Sequence, residues 1–152
     1  MPTHAGQMAF VGGHKKEIEL NAWEVVQREY EEETSFSRNS IAFLGYLPVV
    51  LTARFQPIIP VMAELKISTA QFLHEAKSNG EWDEILAYPW QELTQEGNWE
   101  FAWRNGYEKS PVMFHTIRSG FYFPLETNQK THLLWGATAS MIWEFLRLYF
   151  KA

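Results

Sequence analysis

Cysteine is absent from the chain. That excludes a disulfide framework, thiol nucleophiles and thiolate metal sites at once. Long apolar runs are absent too: no stretch reaches the roughly 18 uncharged apolar residues of a membrane-spanning helix. The first residues lack the basic-then-apolar pattern of a secretory leader. A cytoplasmic protein with no membrane partner is the expectation. Cations are not in excess, since the net charge is -5. This argues against wrapping nucleic acid, which needs phosphate-neutralising Lys and Arg. An acidic chain can still take a phosphorylated small molecule, because a divalent cation inverts the local field.

Internal repeats and low-complexity linkers are also missing, so residues 1–152 are expected to form one domain. Hydrophobic residues make up 46% and aromatics 16%, enough for a packed core. "QMAFV" (7–11) reads as a short strand before Gly12-Gly13, and "HKKEIEL" as a polar loop. "NAWEVVQREYEEE" is the clearest helix. Asn21 can cap it, with Glu24 three residues on. "SIAFLGYLPVVLT" and "QPIIPVMAEL" predict strand regions, with Pro48, Pro57 and Pro60 at edges and turns. "STAQFLHEAKSNG" predicts a short helix or structured loop. "EWDEILAYPWQELTQ" predicts a strand and then a turn or helix. Residues 97–110 read as loop, "PVMFHTI" and "GFYFPL" as strands, and "THLLWGATASMIWEFLRLYF" as a closing helix.

Carboxylates crowd the end of the first helix. Glu29, Glu32 and Glu33 stand at i, i+3 and i+4, so they share one face. Like charges repel there, and the C-terminal half of a helix favours cations rather than anions. No basic residue interrupts the run between Arg28 and Arg38, whereas solvated acidic faces usually interleave Lys or Arg. Oxygen ligands on a rigid helix suit Mg²⁺ or Mn²⁺, and Arg28 can steady them from behind. Gly12-Gly13 permits unusual backbone angles or close approach of main chain to a ligand. A solvated acidic face in front of an ordinary turn is the competing interpretation.

The stretch from Gly13 to Phe36 resembles the Nudix box. That box runs Gly, five residues, Glu, seven residues, then Arg-Glu-apolar-any-Glu-Glu-any-Gly-apolar. The matching residues are Gly13, Glu19, Arg28, Glu29, Tyr30, Glu32, Glu33 and Phe36. Eight residues separate Glu19 from Arg28, and Ser35 replaces the last glycine. The longer gap is similar to the coenzyme A pyrophosphatase branch. So is the lead-in "HAGQMAFVGG", with His4, Gly6, Phe10, Gly12 and Gly13 matching and Val11 in place of proline. "LGYLPVVLT", "EWDEILAYPWQEL" and "LLWGATASMI" resemble later elements of that branch.

The resemblance implies an α+β fold of the Nudix type, an α/β/α sandwich with a mixed sheet between helices. Only "MPT" precedes the lead-in, so the start is expected to be truncated, or the usual first strand to be missing or supplied by a partner chain. The implied activity is metal-dependent cleavage of coenzyme A, or a derivative, to 3′,5′-ADP and (acyl-)4′-phosphopantetheine. Glu29, Glu32, Glu33 and the Gly12 carbonyl would bind Mg²⁺ or Mn²⁺, and Glu29 would also help activate water. Arg28 would orient the site, supported by Glu19 and Gly13. Glu84, with Glu81 beside it, is the candidate base. His4, Trp82 and Arg104 are candidate substrate contacts, with Tyr88, Trp99 and Trp103 as further rings. Another nucleoside diphosphate-linked substrate, or a non-catalytic binding domain on the same fold, are the alternatives. The closing helix is apolar nearly all round from Met141 to Phe150, which suggests a homodimer.

Overall fold

A computed structural model describes residues 7–52, 54–93, 100–104, 118–126 and 131–149. In chain order the elements are α1 (Ala22–Thr34), β1 (Ile41–Tyr46), β2 (Val50–Leu51), β3 (Pro57–Ile58), β4 (Val61–Leu65), α2 (Thr69–Glu75), α3 (Trp90–Leu93), β5 (Glu100–Arg104), β6 (Arg118–Glu126), β7 (Thr131–Leu134) and α4 (Gly136–Tyr149). The arrangement is α+β. Every strand pairing among the described residues is antiparallel, in three small sheets: β1-β4, β2-β3 and β5-β6-β7. The mixed parallel–antiparallel sheet expected of the sandwich is not formed among them. The chain falls into two compact units: residues 10–47 with 59–88, and residues 48–58 with 89–152 and 1–9.

The first unit is built on α1. Asn21 caps it, its side chain accepting from the Glu24 N–H at 3.1 Å. Glu24 reaches back to the Leu20 N–H at 2.8 Å, one residue earlier than a standard capping box. Val25, Tyr30 and Thr34 form the buried face of the helix. The Tyr30 ring stacks on Phe72 of α2 with centroids 6.1 Å apart, and Phe36 closes a triad with both. Burial of such rings contributes about 1.5–3 kcal/mol each. Pairing of β1 with β4 runs from Ile41↔Leu65 to Tyr46↔Val61, interrupted by a bulge between Phe43 and Gly45. The short helix expected within "STAQFLHEAKSNG" is α2, capped by Ser68.

In the second unit, β5-β6-β7 form a meander and α4 packs on β6 and β2. Leu134, Ala139, Met141 and Leu146 are buried there with Val50 and Leu93. Gly136 opens α4 at φ +63°, a left-handed turn that suits glycine. No helix among the described residues is long and apolar enough to cross a membrane.

Several local expectations are corrected. Residues 7–10 form no strand, and neither do residues 81–89, where only the four-residue α3 follows Pro89. Residues 100–104 are strand rather than loop, because Phe101 to Trp103 pair with β6. The closing helix begins at Gly136, since Thr131 to Leu134 are paired with β6 instead. The "PVMFHTI" segment lies outside the described residues. The prolines fall as expected: Pro48 and Pro60 lie between strands and Pro57 starts β3.

Candidate functional site

Arg28 is the hub of the first unit's acidic end. Its Nε donates to Glu19 Oε1 at 2.6 Å and its Nη2 to Glu19 Oε2 at 3.5 Å. The Nη1 group donates to Glu29 Oε1 at 2.7 Å and to Glu32 Oε2 at 3.1 Å. Nη2 also reaches the His14 carbonyl at 3.0 Å. Glu19 is buried, and its second oxygen accepts the Lys16 N–H at 2.5 Å. The guanidinium fork and the backbone N–H hold the Glu19 carboxyl below the usual range. One arginine thus joins the glycine-rich loop, the polar turn and two of the helix carboxylates.

The four crowded glutamates divide between the two sides of the helix. Glu31 turns to Arg38, which contacts it through its N–H, Nε and Nη2 at 2.8, 2.9 and 2.6 Å. Glu29, Glu32 and Glu33 remain on the other side. Lys16 Nζ approaches Glu32 Oε1 at 3.3 Å. Desolvation pushes the Glu32 pKa upward, but Lys16 and Arg28 together outweigh it and hold the group low. Glu33 accepts the Gly12 N–H at 3.2 Å. Its pKa is pushed up to about 7, by burial first and then, against the Gly12 hydrogen bond, by the charges of Glu81, Glu29 and Glu32.

Gly13 is set by close approach rather than by unusual angles. Neither Gly12 nor Gly13 has positive φ. A Cβ on Gly13 would overlap the Glu29 carboxylate, whereas one on Gly12 would meet open space. Gly12 meets the cluster through its N–H.

The C-terminus of α1 is closed by the loop that carries the candidate bases. Lys77 N–H donates to the Thr34 carbonyl at 3.1 Å, and the Trp82 indole N–H to the Glu33 carbonyl at 2.7 Å. Both carbonyls are among the last of the helix and lack partners within it. Trp82, a candidate substrate ring, therefore spends its one donor on the helix that bears the glutamates. The same docking brings Glu81 near enough for its charge to act on Glu33. Glu84 is exposed, two residues beyond Trp82. Arg104 ends β5 in the other unit, its backbone opposite Arg118. His4 and Trp99 lie outside the described residues. Lys16 is the site residue that motif spacing did not single out. Its signal was a cation inside the loop between the matched Gly13 and Glu19.

Ser35 ends the helix in the left-handed region at φ 63°, with its N–H on the Glu31 carbonyl at 3.0 Å. This is where the resembled box has glycine, the residue that takes such a cap at least cost.

Over 145 residues the chain is 24% identical to Nudix hydrolase 22, chloroplastic, of Arabidopsis thaliana. The likeness is to a Nudix hydrolase, and it is distant. The match covers 93% of this chain and 44% of that protein, so the chain spans less than half the length of its relative. No protein-family model matches the chain, and no solved structure matches it. The likeness points to the Nudix hydrolases in general and does not reach the coenzyme A branch.

Whether the carboxylates suit a divalent cation has two answers. By chemistry they do: three glutamates on one rigid helix offer hard oxygen donors, and crowding leaves Glu33 short of positive charge. In their present arrangement they do not converge. Glu29 and Glu32 face Arg28, Glu32 also faces Lys16, and Glu33 faces Gly12. Among the described residues, no group of three or more His, Cys, Asp or Glu side chains forms a metal site. To hold a cation there, Glu29 and Glu32 must turn from these partners.

Proposed function

We propose that the chain is a Nudix-type hydrolase that cleaves a nucleoside diphosphate-linked small molecule, with coenzyme A or its derivatives as the first substrate class. One observation carries this reading. Glu29, Glu32 and Glu33 stand on one helix end beside a glycine loop, and Arg28, paired with buried Glu19, ties the helix to that loop through the His14 carbonyl. The distant likeness to a Nudix hydrolase agrees with it. The coenzyme A assignment rests on the sequence resemblance in the lead-in and in the eight-residue gap.

Phosphoryl transfer depends on positioning and charge stabilisation more than on covalent help from the protein. Glu29, Glu32, Glu33 and the Gly12 carbonyl would hold Mg²⁺ or Mn²⁺. When bound, the ion lowers the pKa of water and screens charge developing on the diphosphate. Arg28, tied to Glu19, keeps the Glu29 and Glu32 side chains on one side of α1. Glu81 or Glu84 would take the proton from attacking water. Glu81 has the better claim, because Trp82 docks its loop on Glu33.

A panel of coenzyme A, ADP-ribose, a dinucleotide and nucleoside triphosphates, each with Mg²⁺ and with Mn²⁺, tests the proposal. Selective cleavage of coenzyme A is expected. Cleavage of another diphosphate first would reassign the substrate, and silence across the panel would leave a binding domain. The proposal includes a homodimer through α4, where Leu148 is exposed. Light scattering that shows a clean monomer at micromolar concentration rejects that part.

A further inference from the structure

Resting on the diphosphate-hydrolase reading, we propose that Trp82 is a positioning residue for that reaction. Its indole pins the turn of residues 78–82 to the end of α1 and so holds the Glu81 carboxylate where it takes the proton from attacking water.

The turn is anchored at both ends, on consecutive carbonyls of α1. The Lys77 N–H donates to the Thr34 carbonyl at 3.1 Å, and the Trp82 indole N–H to the Glu33 carbonyl at 2.7 Å. The four residues between these anchors are braced from within. The Ser78 hydroxyl donates to the Trp82 carbonyl at 2.8 Å and accepts the Gly80 N–H at 3.0 Å. The Asn79 side chain accepts the Glu81 N–H at 3.0 Å, and Gly80 stands at φ +100°, open to glycine at little cost. Glu81 directly precedes the second anchor, so its Cα lies about 3.8 Å from that of Trp82. Fixing Trp82 fixes the root of the Glu81 side chain.

Capping alone does not call for this build. Water can satisfy the last carbonyls of a helix, and Lys77 already closes one of them. What the braced turn adds is a placed carboxylate. Glu81 is exposed, and its carboxylate accepts no hydrogen bond among the described residues. Its charge nonetheless reaches Glu33. A general base needs both properties: free lone pairs open to water, and a fixed place beside the reacting groups. Trp82 itself is half-buried, and its single donor is spent on the helix.

Trp82→Phe keeps a ring and removes the donor. Hydrogen exchange in residues 77–82 should quicken roughly five-fold, the worth of one hydrogen bond, with the first turns of α1 unchanged. On coenzyme A, or whichever panel diphosphate the wild type cleaves, kcat should fall roughly ten-fold while KM stays within about two-fold. Glu81→Gln should cost roughly 10²–10⁴ in kcat, and adding Trp82→Phe to it should cost little more, because one residue acts through the other. Ser78→Ala, which loosens the same turn without touching the ring, should repeat the kcat loss in smaller measure and serves if Trp82→Phe does not fold. A raised KM with kcat intact would mark Trp82 as a substrate ring and overturn the proposal. Additive losses in the double variant, or unchanged exchange, overturn it too. A wild type that cleaves normally beside an unaffected Trp82→Phe rejects the positioning role alone, whereas a wild type silent across the panel rejects the hydrolase reading and this role with it.

Discussion

Gly13 and Glu29 lie against each other so closely that a Cβ on the glycine would occupy the space of the glutamate carboxylate. The clash falls on the far end of a flexible side chain, not on backbone. Gly13→Ala should therefore leave the fold nearly as stable as before and push the Glu29 carboxylate from its place beside Arg28. Metal-dependent turnover should drop by about ten-fold or more, the usual scale for a misplaced catalytic group. A thermal melt with a turnover assay separates the two effects; unchanged turnover would show that Glu29 does not need this position.

Glu32 carries a stronger expectation. It faces both Lys16 and Arg28 and is exposed toward solvent, so a neutral isostere disturbs little packing. Glu32→Gln should reduce turnover by roughly 10²–10³, in line with loss of a main electrostatic group. Its circular dichroism should match the wild type. Near-normal metal-dependent activity in this variant would sink the assignment of the cluster.

Ser35 offers a test of stability alone. A serine at φ 63° is strained, and its hydroxyl contact with the Lys77 carbonyl is long at 3.5 Å. Ser35→Gly should stabilise the protein by about 0.5–1 kcal/mol, relief of the left-handed strain outweighing the added freedom of the unfolded chain. Urea denaturation measures this, and a loss of stability would show that the hydroxyl contact matters more than the backbone.

The raised pKa of Glu33 predicts a pH dependence in the metal-free protein. Burial and the neighbouring carboxylates lift the folded-state value from 4.5 to about 7. Between these values the native state holds more protons than the unfolded chain, so this group's contribution to stability falls as pH rises across that window and levels off above it. Glu19 and Glu31 act in the opposite sense at the acid end. Their folded values are lowered by Arg28 and Arg38, so their stabilisation is lost as pH falls below 4.5. Glu33→Gln should flatten the decline from pH 5 to 7 in chemical denaturation with chelator present, relative to the wild type. A decline that persists unchanged would place its origin elsewhere.

What the sequence determined by itself was local. Asn21 and Glu24 announce the start of α1, and the i, i+3, i+4 spacing places Glu29, Glu32 and Glu33 together, because helix geometry alone dictates who shares a face. Short-range pairing of Glu19 with Arg28 was accessible only through motif resemblance, since nine positions apart across a loop has no fixed geometry. Strand limits were harder to read. Thr131 to Leu134 looked continuous with α4 until pairing with β6 claimed them, and residues 100–104 gained strand character from the same partner. Such pairings are non-local, and an isolated segment does not carry them.

Tertiary structure alone decided how the carboxylates are distributed. Glu31 goes to Arg38, Glu32 is shared by Arg28 and Lys16, and Glu33 is left with Gly12 and the charge of Glu81. It also placed the Trp82 indole N–H on the Glu33 carbonyl of the helix that bears them. Spacing can put four glutamates on a helix end. Which of them is neutralised depends on cations and donors that the folded chain brings from elsewhere, and Coulomb's law makes that a matter of a few ångströms.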